Sequence, residues 1–357
     1  MSDMNFLSRL LREKDYLPLR GRDEMKRLLE TYSYGVTPAI PVSVSGKTVS
    51  RSVSPGGETM ERLEITLSGE PGIFTFPAEL FLPVRGADGN DKPPVILHIA
   101  FRPVPDRYIP VRLITGAGYA LAVLVYTDIV NDDHFGDFSG GLAGYFGTGK
   151  DRRPDEWGKI GMWAYGASRL MDYLVSRGDL DTSRSAVIGH SRLGKTALWC
   201  GALDQRFAAV ISNDSGYGGA ASSKRGTGER VTDFIRAGSW DWFCPNFTDY
   251  AGEKEDEKPY DQSFLLAMIA PRLLCVGSAS LDAGADPMSE FTTALHASKA
   301  WEEAGLDGLV CPDRLPSPGD RFFGGRVGYQ LRPGEHSLTP DDWSAYIDFL
   351  GRYFVKK

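Results

Sequence analysis

The 357-residue chain has little of what would set it apart from an ordinary globular enzyme. Its four cysteines, Cys200, Cys244, Cys275 and Cys311, show no Cys-x-x-Cys spacing. A disulfide scaffold and a thiolate metal site are therefore excluded as organising principles, and the cysteines read mostly as small core residues. No run approaches the roughly 18 apolar residues of a membrane span. The opening stretch MSDMNFLSRLLR has neither a long apolar segment nor a small-residue cleavage site. The expectation is a soluble cytoplasmic protein with no membrane partner, although a secreted form whose leader had been removed would read the same. Excess positive charge is missing too. The chain has 47 acidic side chains against 40 Lys and Arg, a net charge of −7, which removes nucleic acid as a partner. There are no repeats and no low-complexity segments. Only five histidines are available for acid–base chemistry: His98, His134, His190, His296 and His336.

What is present builds a large core, since 42% of the residues are hydrophobic. Residues 5–34 carry apolar positions at helical spacing and read as a helical lead-in broken at Pro18. Over 40–83 the period changes to that of antiparallel strands. From residue 95 strands and helices alternate: strands at 95–100, 119–126, 186–188, 207–212, 273–277 and 329–331, with helices at 106–117, 157–174, 262–270, 286–305 and 341–354. Residues 128–156 and 217–260 read as loop insertions near a site, and 306–327 as a Pro/Gly-rich loop. The alternation predicts a mostly parallel sheet covered by helices on both faces, with antiparallel N-terminal strands, in one domain over residues 1–357.

The most informative stretch is Ala186-Val-Ile-Gly-His-Ser-Arg-Leu-Gly-Lys-Thr-Ala-Leu-Trp199. An apolar strand runs into Gly189, Ser191 and Gly194, and a helix follows. A serine on a sharp strand-to-helix turn is the nucleophile elbow of the α/β-hydrolase fold. The second glycine comes one residue later than in the usual Gly-x-Ser-x-Gly. A serine hydroxyl needs a base, and the base needs an orienting acid. In this fold the order is Ser, acid, His, and His336 stands in a loop after the last strand. His98 and His190 lie on or beside buried strands and read as hydrogen-bonded core residues. Two acids are candidates: Asp282, after strand 273–277, and Asp214, at the end of the strand following the elbow. Asp282 is favoured because an aspartate at 214 is expected to fall short of the imidazole. Asp286 reads as the cap of the helix beginning at Pro287.

The elbow Gly189-His-Ser-Arg-Leu-Gly-Lys195 resembles the Gly-Cys-Ser-Arg-x-Gly-Lys motif of glucuronoyl esterases, carbohydrate esterase family 15. Asn213-Asp-Ser-Gly-Tyr-Gly-Gly219 is similar to the family's Glu-Ser-Gly-x-Gly-Gly, and Trp242-Phe-Cys-Pro-Asn-Phe247 matches a run of its bacterial members. The resemblance implies a serine carboxylesterase that acts on glucuronate or 4-O-methylglucuronate esters derived from glucuronoxylan or lignin–carbohydrate material, with no metal and no organic cofactor. It implies that Arg192 helps the oxyanion and that Lys195 and Glu229 bind the sugar; an aromatic of 240–247 such as Trp242 could stack on the sugar ring, while core packing is the role read for most of that run. One departure is clear. Where the family carries Leu-Trp-Ala-Asp-Pro, this chain reads Ala283-Gly-Ala-Asp-Pro287, with Gly284 in place of the tryptophan. The alternatives are an acetyl xylan esterase or sugar deacetylase, which needs no such tryptophan, and a non-catalytic sugar-binding scaffold.

Overall fold

The short apolar runs become the centre of a ten-stranded sheet in the computed structural model, which describes residues 5–84, 92–149, 151–224 and 226–354. Residues 1–4 of the expected lead-in lie outside the described residues. Three antiparallel strands open the sheet: β1 (Val42–Val53), β2 (Thr59–Gly69) and β3 (Gly72–Leu82). The central strands are β4 (Pro94–Ala100), β5 (Ala120–Val125), β6 (Asp181–His190), β7 (Ala209–Asn213) and β8 (Leu273–Ala279). A two-residue strand, β9 (Arg321–Phe322), and β10 (Val327–Arg332) complete it. The order is β1-β2-β3-β5-β4-β6-β7-β8-β10-β9, with β5 to β10 parallel to one another apart from β9 at the edge. Neighbouring parallel strands need crossover connections, and helices supply them.

Alternation along each strand divides the core into two faces. Ile96, Ile188, Ile211 and Cys275 pack on one side against the closing helix. Val95, Leu97, Val187, Val210 and Leu274 face the other. The helices are α1 (Phe6–Lys14), α2 (Arg22–Leu29), α3 (Val111–Gly116), α4 (Gly141–Phe146), α5 (Lys159–Arg177), α6 (Arg192–Leu203), α7 (Val231–Arg236), α8 (Gln262–Ala267), α9 (Pro287–Ala297), α10 (Lys299–Glu302) and α11 (Pro340–Phe354). No helix among the described residues is long and apolar enough to cross a membrane. The lead-in is tied to the body by Asp313, whose carboxylate accepts the Phe6 and Leu7 amides at 2.8 Å each. Asp15, at φ 53°, ends α1 before Pro18 is reached.

The structure differs from the sequence reading in a few places, each with a local cause. The helix expected over 106–117 is confined to α3, because Pro103, Pro105 and Pro110 withhold backbone donors ahead of it. The 128–156 loop contains α4, and the 217–260 stretch contains α7 and three short 3-10 helices. The two residues of β9 are too few to leave a period in the sequence. Cys200, Cys244 and Cys275 are buried and Cys311 is partly so.

Candidate active site

The turn from β6 into α6 is built by glycine. A Cβ at Gly189 would collide with the Leu193 carbonyl, and one at Gly194 would press on Ser215 and on the Asn213 carbonyl at 3.0 and 3.1 Å. The late second glycine is thus the point where α6 crosses the chain after β7. Ser191 itself is forced to φ 58°, ψ −128°, a conformation that is costly for a non-glycine residue. Its amide donates to the Asn213 carbonyl at 2.9 Å. The side chain is thereby held at the N-terminus of α6, where the first helical N–H groups have no intrahelical acceptor.

Ser191 lines a cavity of about 250 Å³ together with Lys195, Asp214, Glu229, Asp282 and His336. His336 Nδ1 lies 2.5 Å from Asp282 Oδ2. Burial pushes the Asp282 carboxyl up, but the hydrogen bond and charge of His336 outweigh it and leave it below the usual carboxylate range. Asp214 is close by and differently placed. One oxygen accepts the Ser337 amide at 3.2 Å and lies 3.8 Å from Arg332; the other has no hydrogen-bond partner. Burial, then the neighbouring Glu290, Asp342 and Asp282, push its carboxyl well above the usual range. Among the described residues, Asp214, Asp282 and His336 form the one group of three acid or histidine side chains with ligand atoms within 4.8 Å of one another. The short hydrogen bond pairs two of them, Asp282 and His336, with each other. Asp286 caps α9 as expected, accepting the Ser289 amide at 3.0 Å.

Arg192 turns away from solvent toward an acid absent from the sequence reading. Its Nη1 lies 2.5 Å from Asp132 Oδ2, and its guanidinium sits 4.4 Å above the Trp242 ring. Asp132 also accepts from the Trp242 indole N–H at 2.7 Å and from the Tyr126 hydroxyl at 2.9 Å. Trp242 is buried, with one face covered by Arg192 and an edge-on contact to Phe234. Trp242, named above as an aromatic that could meet a sugar, is buried, and one face of its indole supports Arg192. Behind it, Lys159 is fully buried and pairs with Asp133 at 2.9 Å and Asp241 at 2.7 Å. That ties the 128–156 loop to the 3-10 turn Ser239–Trp242. The one hint of Asp132 in the sequence was its place in the acidic Asn131-Asp-Asp run of a loop that reads as either a site wall or a mobile surface.

Lys195 is buried, donates to the Ser215 carbonyl at 2.6 Å and lies 3.6 Å from Glu229. Burial holds its ammonium below the usual lysine range, with Glu229 and Glu290 pulling the other way. Opposite, the cavity wall at Gly284 has no side chain. A Cβ there would meet only Asp282 Oδ1, at 3.6 Å. Under the site, Glu290 accepts from Ser278 at 2.5 Å and from the Gly216 amide at 2.9 Å, and burial pushes its carboxyl up to about 7. No motif had pointed to it.

A family model described as glucuronyl esterase of fungi matches residues 149–305. A carbohydrate esterase from an unknown prokaryotic organism is 42% identical over 240 residues, 67% of this chain and 54% of that protein. The 4-O-methyl-glucuronoyl methylesterase of Podospora anserina is 30% identical over 302 residues, 79% of this chain and 55% of that protein. The chain thus spans about half the length of these two relatives. Among solved structures, a promiscuous family 15 carbohydrate esterase from a marine bacterial metagenome superposes with a TM-score of 0.82 at 32% identity, covering 93% of this chain and 91% of that one. A glucuronoyl esterase from Solibacter usitatus gives 0.83 at 33% identity, covering 94% and 92%.

Two outcomes follow from this geometry. Asp132→Asn keeps the shape but removes the charge that orients Arg192, so ester turnover is expected to fall about 10–100-fold with a smaller change in KM. Unchanged turnover in the folded variant would remove Arg192 and its acid from the working site. Glu290 has a native pKa raised above its unfolded value, so the native chain holds a proton that the unfolded chain releases. The contribution to stability therefore falls as pH rises from the unfolded value toward about 7 and is flat above it. Glu290→Gln keeps an acceptor for Gly216 and supplies a donor to Ser278. Its stability relative to wild type should rise by about 2–3 kcal/mol between roughly pH 5 and 8 in urea titrations. Parallel curves would sink the assignment.

Proposed function

Because this chain belongs to carbohydrate esterase family 15, we propose that it is a serine carboxylesterase that hydrolyses glucuronate or 4-O-methylglucuronate esters of plant cell-wall carbohydrate. The observation that carries this reading is the convergence of Ser191, His336 and Asp282 on one cavity, with Asp282 2.5 Å from His336 Nδ1. In this mechanism Ser191 Oγ attacks the ester carbonyl and its proton passes to His336 Nε2. Asp282 keeps the other ring nitrogen protonated and stabilises the imidazolium. The tetrahedral oxyanion forms at the N-terminus of α6, where the backbone N–H after the serine and the Arg192 guanidinium supply positive potential. The proton on His336 passes to the leaving alcohol, and water then cleaves the acyl-enzyme through the same histidine. Asp214 is the poorer orienter: a carboxyl pushed up by burial and three acids gives little support to an imidazolium.

Lys195 and Glu229 supply the polar side of the acyl pocket and contact sugar hydroxyls or the uronate ring. Gly284 leaves the facing wall open. The same opening favours a second reading, a deacetylase for acetylated sugars, whose small acyl group needs no aromatic wall.

In folded variants, Ser191→Ala and His336→Ala should each lower kcat by about 10³-fold or more. Asp282→Asn should cost at least about ten times more turnover than Asp214→Asn; the reverse order would make Asp214 the orienter. The substrate is decided by a panel at equal concentration, with glucuronate methyl esters beside acetylated xylo-oligosaccharides. Hydrolysis of the uronate esters with a high KM is expected. Gly284→Trp should lower that KM several-fold, about what one aromatic contact contributes. Acetate release with untouched uronate esters would establish the deacetylase reading instead.

A further inference from the structure

The histidine that precedes the serine has no part in the reaction as described. His190 ends β6, is buried, and lies with its ring 4.5 Å from that of His336, centroid to centroid, tilted by 40°. Tyr108 and Phe101 close its other sides edge-on at 5.2 and 6.1 Å. Its Nδ1 is 2.7 Å from Asn213 Oδ1. The Asn213 amide nitrogen donates to the Tyr346 hydroxyl at 2.8 Å, which leaves Oδ1 as an acceptor and places the His190 proton on Nδ1. Tyr346 sits so close to β8 that any side chain at Gly277 would collide with its hydroxyl. The tautomer is thus fixed by α11, which packs on the same face of the sheet.

We propose that His190 is a positioning residue for His336: held as the neutral Nδ1–H tautomer by Asn213 and Tyr346, its ring steadies the half-exposed His336 and favours the imidazolium formed when Ser191 gives up its proton. The inference rests on the serine-esterase reading above. An uncharged aromatic face attracts a cation, whereas a second imidazolium would repel it. Burial, then the proximity of His336, push His190 down to about 3, so it stays uncharged at neutral pH. The charged and titratable groups facing the two rings are Asp282 after β8, Asp214 after β7 at 4.0 Å from His190 Nδ1, and Arg332 at the end of β10. His98 on β4, Tyr108 before α3 and Tyr346 on α11 complete the set. Burial pushes His98 down to about 4, so it too is neutral. Glu290 and Asp342 lie behind Asp214 and act on it. Every proton transferred in the reaction passes through His336; His190 neither gains nor loses one.

The test compares kcat/KM against pH for wild type, His190→Ala and His190→Phe, together with imidazole ¹⁵N NMR of the resting wild-type protein. His190→Ala should lower kcat/KM about tenfold, mainly through kcat, and move its acid limb down by about half a pH unit, because the cation loses its stacking partner. His190→Phe keeps a ring face and should restore the limb and most of kcat. The NMR spectrum should show His190 protonated on Nδ1 and not titrating between about pH 5 and 8. An Ala variant with the wild-type rate and limb, a Phe variant no better than Ala, or a His190 that carries its proton on Nε2 or titrates would overturn the proposal. Should the Ala variant fail to fold, the Phe variant and the wild-type spectrum decide. Failure of the esterase reading looks different: a wild-type protein that turns over no ester, with the His190 tautomer still open to measurement.

Discussion

Everything at this site depends on one steric constraint, the backbone-to-backbone crossing of α6 over β6 and β7. The chain must reverse within a few residues after β6, and it does so by placing Ser191 at φ 58°. A non-glycine residue held there costs about 1–3 kcal/mol, which the surrounding packing must offset. A Cβ at Gly189 would strike the Leu193 carbonyl, one at Gly194 would press on its neighbours, and one at Gly201, two turns further on, would strike Val210 of β7. The crossing lays the helix start, its N–H groups and the Arg192 and Lys195 side chains around the serine. A looser turn would separate these groups, because each is placed by the direction of α6.

Around that crossing, the protein separates charges that need solvent-like support from those it keeps neutral. Arg192 is half-buried but neutralised by Asp132, whose remaining capacity is filled by Trp242 and Tyr126. Lys159 is buried completely and is matched by two acids. Asp282 and Asp214 are the same residue type a few ångströms apart, yet they are driven in opposite directions: Asp282 has a histidine to pair with, and Asp214 faces three further acids. A fully ionised cluster of Asp214, Glu290 and Asp342 would be expensive in the interior, and the upward displacement of all three is how the fold avoids it.

Much of this was readable in the linear chain because it is local. Strand, turn and helix periods, the glycines of the elbow and the cap of α9 depend on neighbours within a few residues, and the fold they imply carries a fixed order of serine, acid and histidine. The mostly parallel sheet with antiparallel opening strands followed from those periods, and membership of the esterase family from the elbow and its companion motifs. Tertiary structure alone decided which partners meet. Asp132 and Arg192 are 60 residues apart, and Asp132 and Trp242 are 110. No period or spacing encodes such pairings; they arise when separate loops are carried to the same end of the sheet. Trp242 stood in a run of aromatics that could stack on a sugar or pack in the core, and only tertiary packing placed Arg192 over one of its faces. His190 read as a core histidine, which it is, but that its ring lies against His336 depends on a loop arriving from beyond β10. Local sequence set the elements and the residue types at the turn. The crossing of distant loops, each fixed by burial and by the need to pair every buried charge, set their roles.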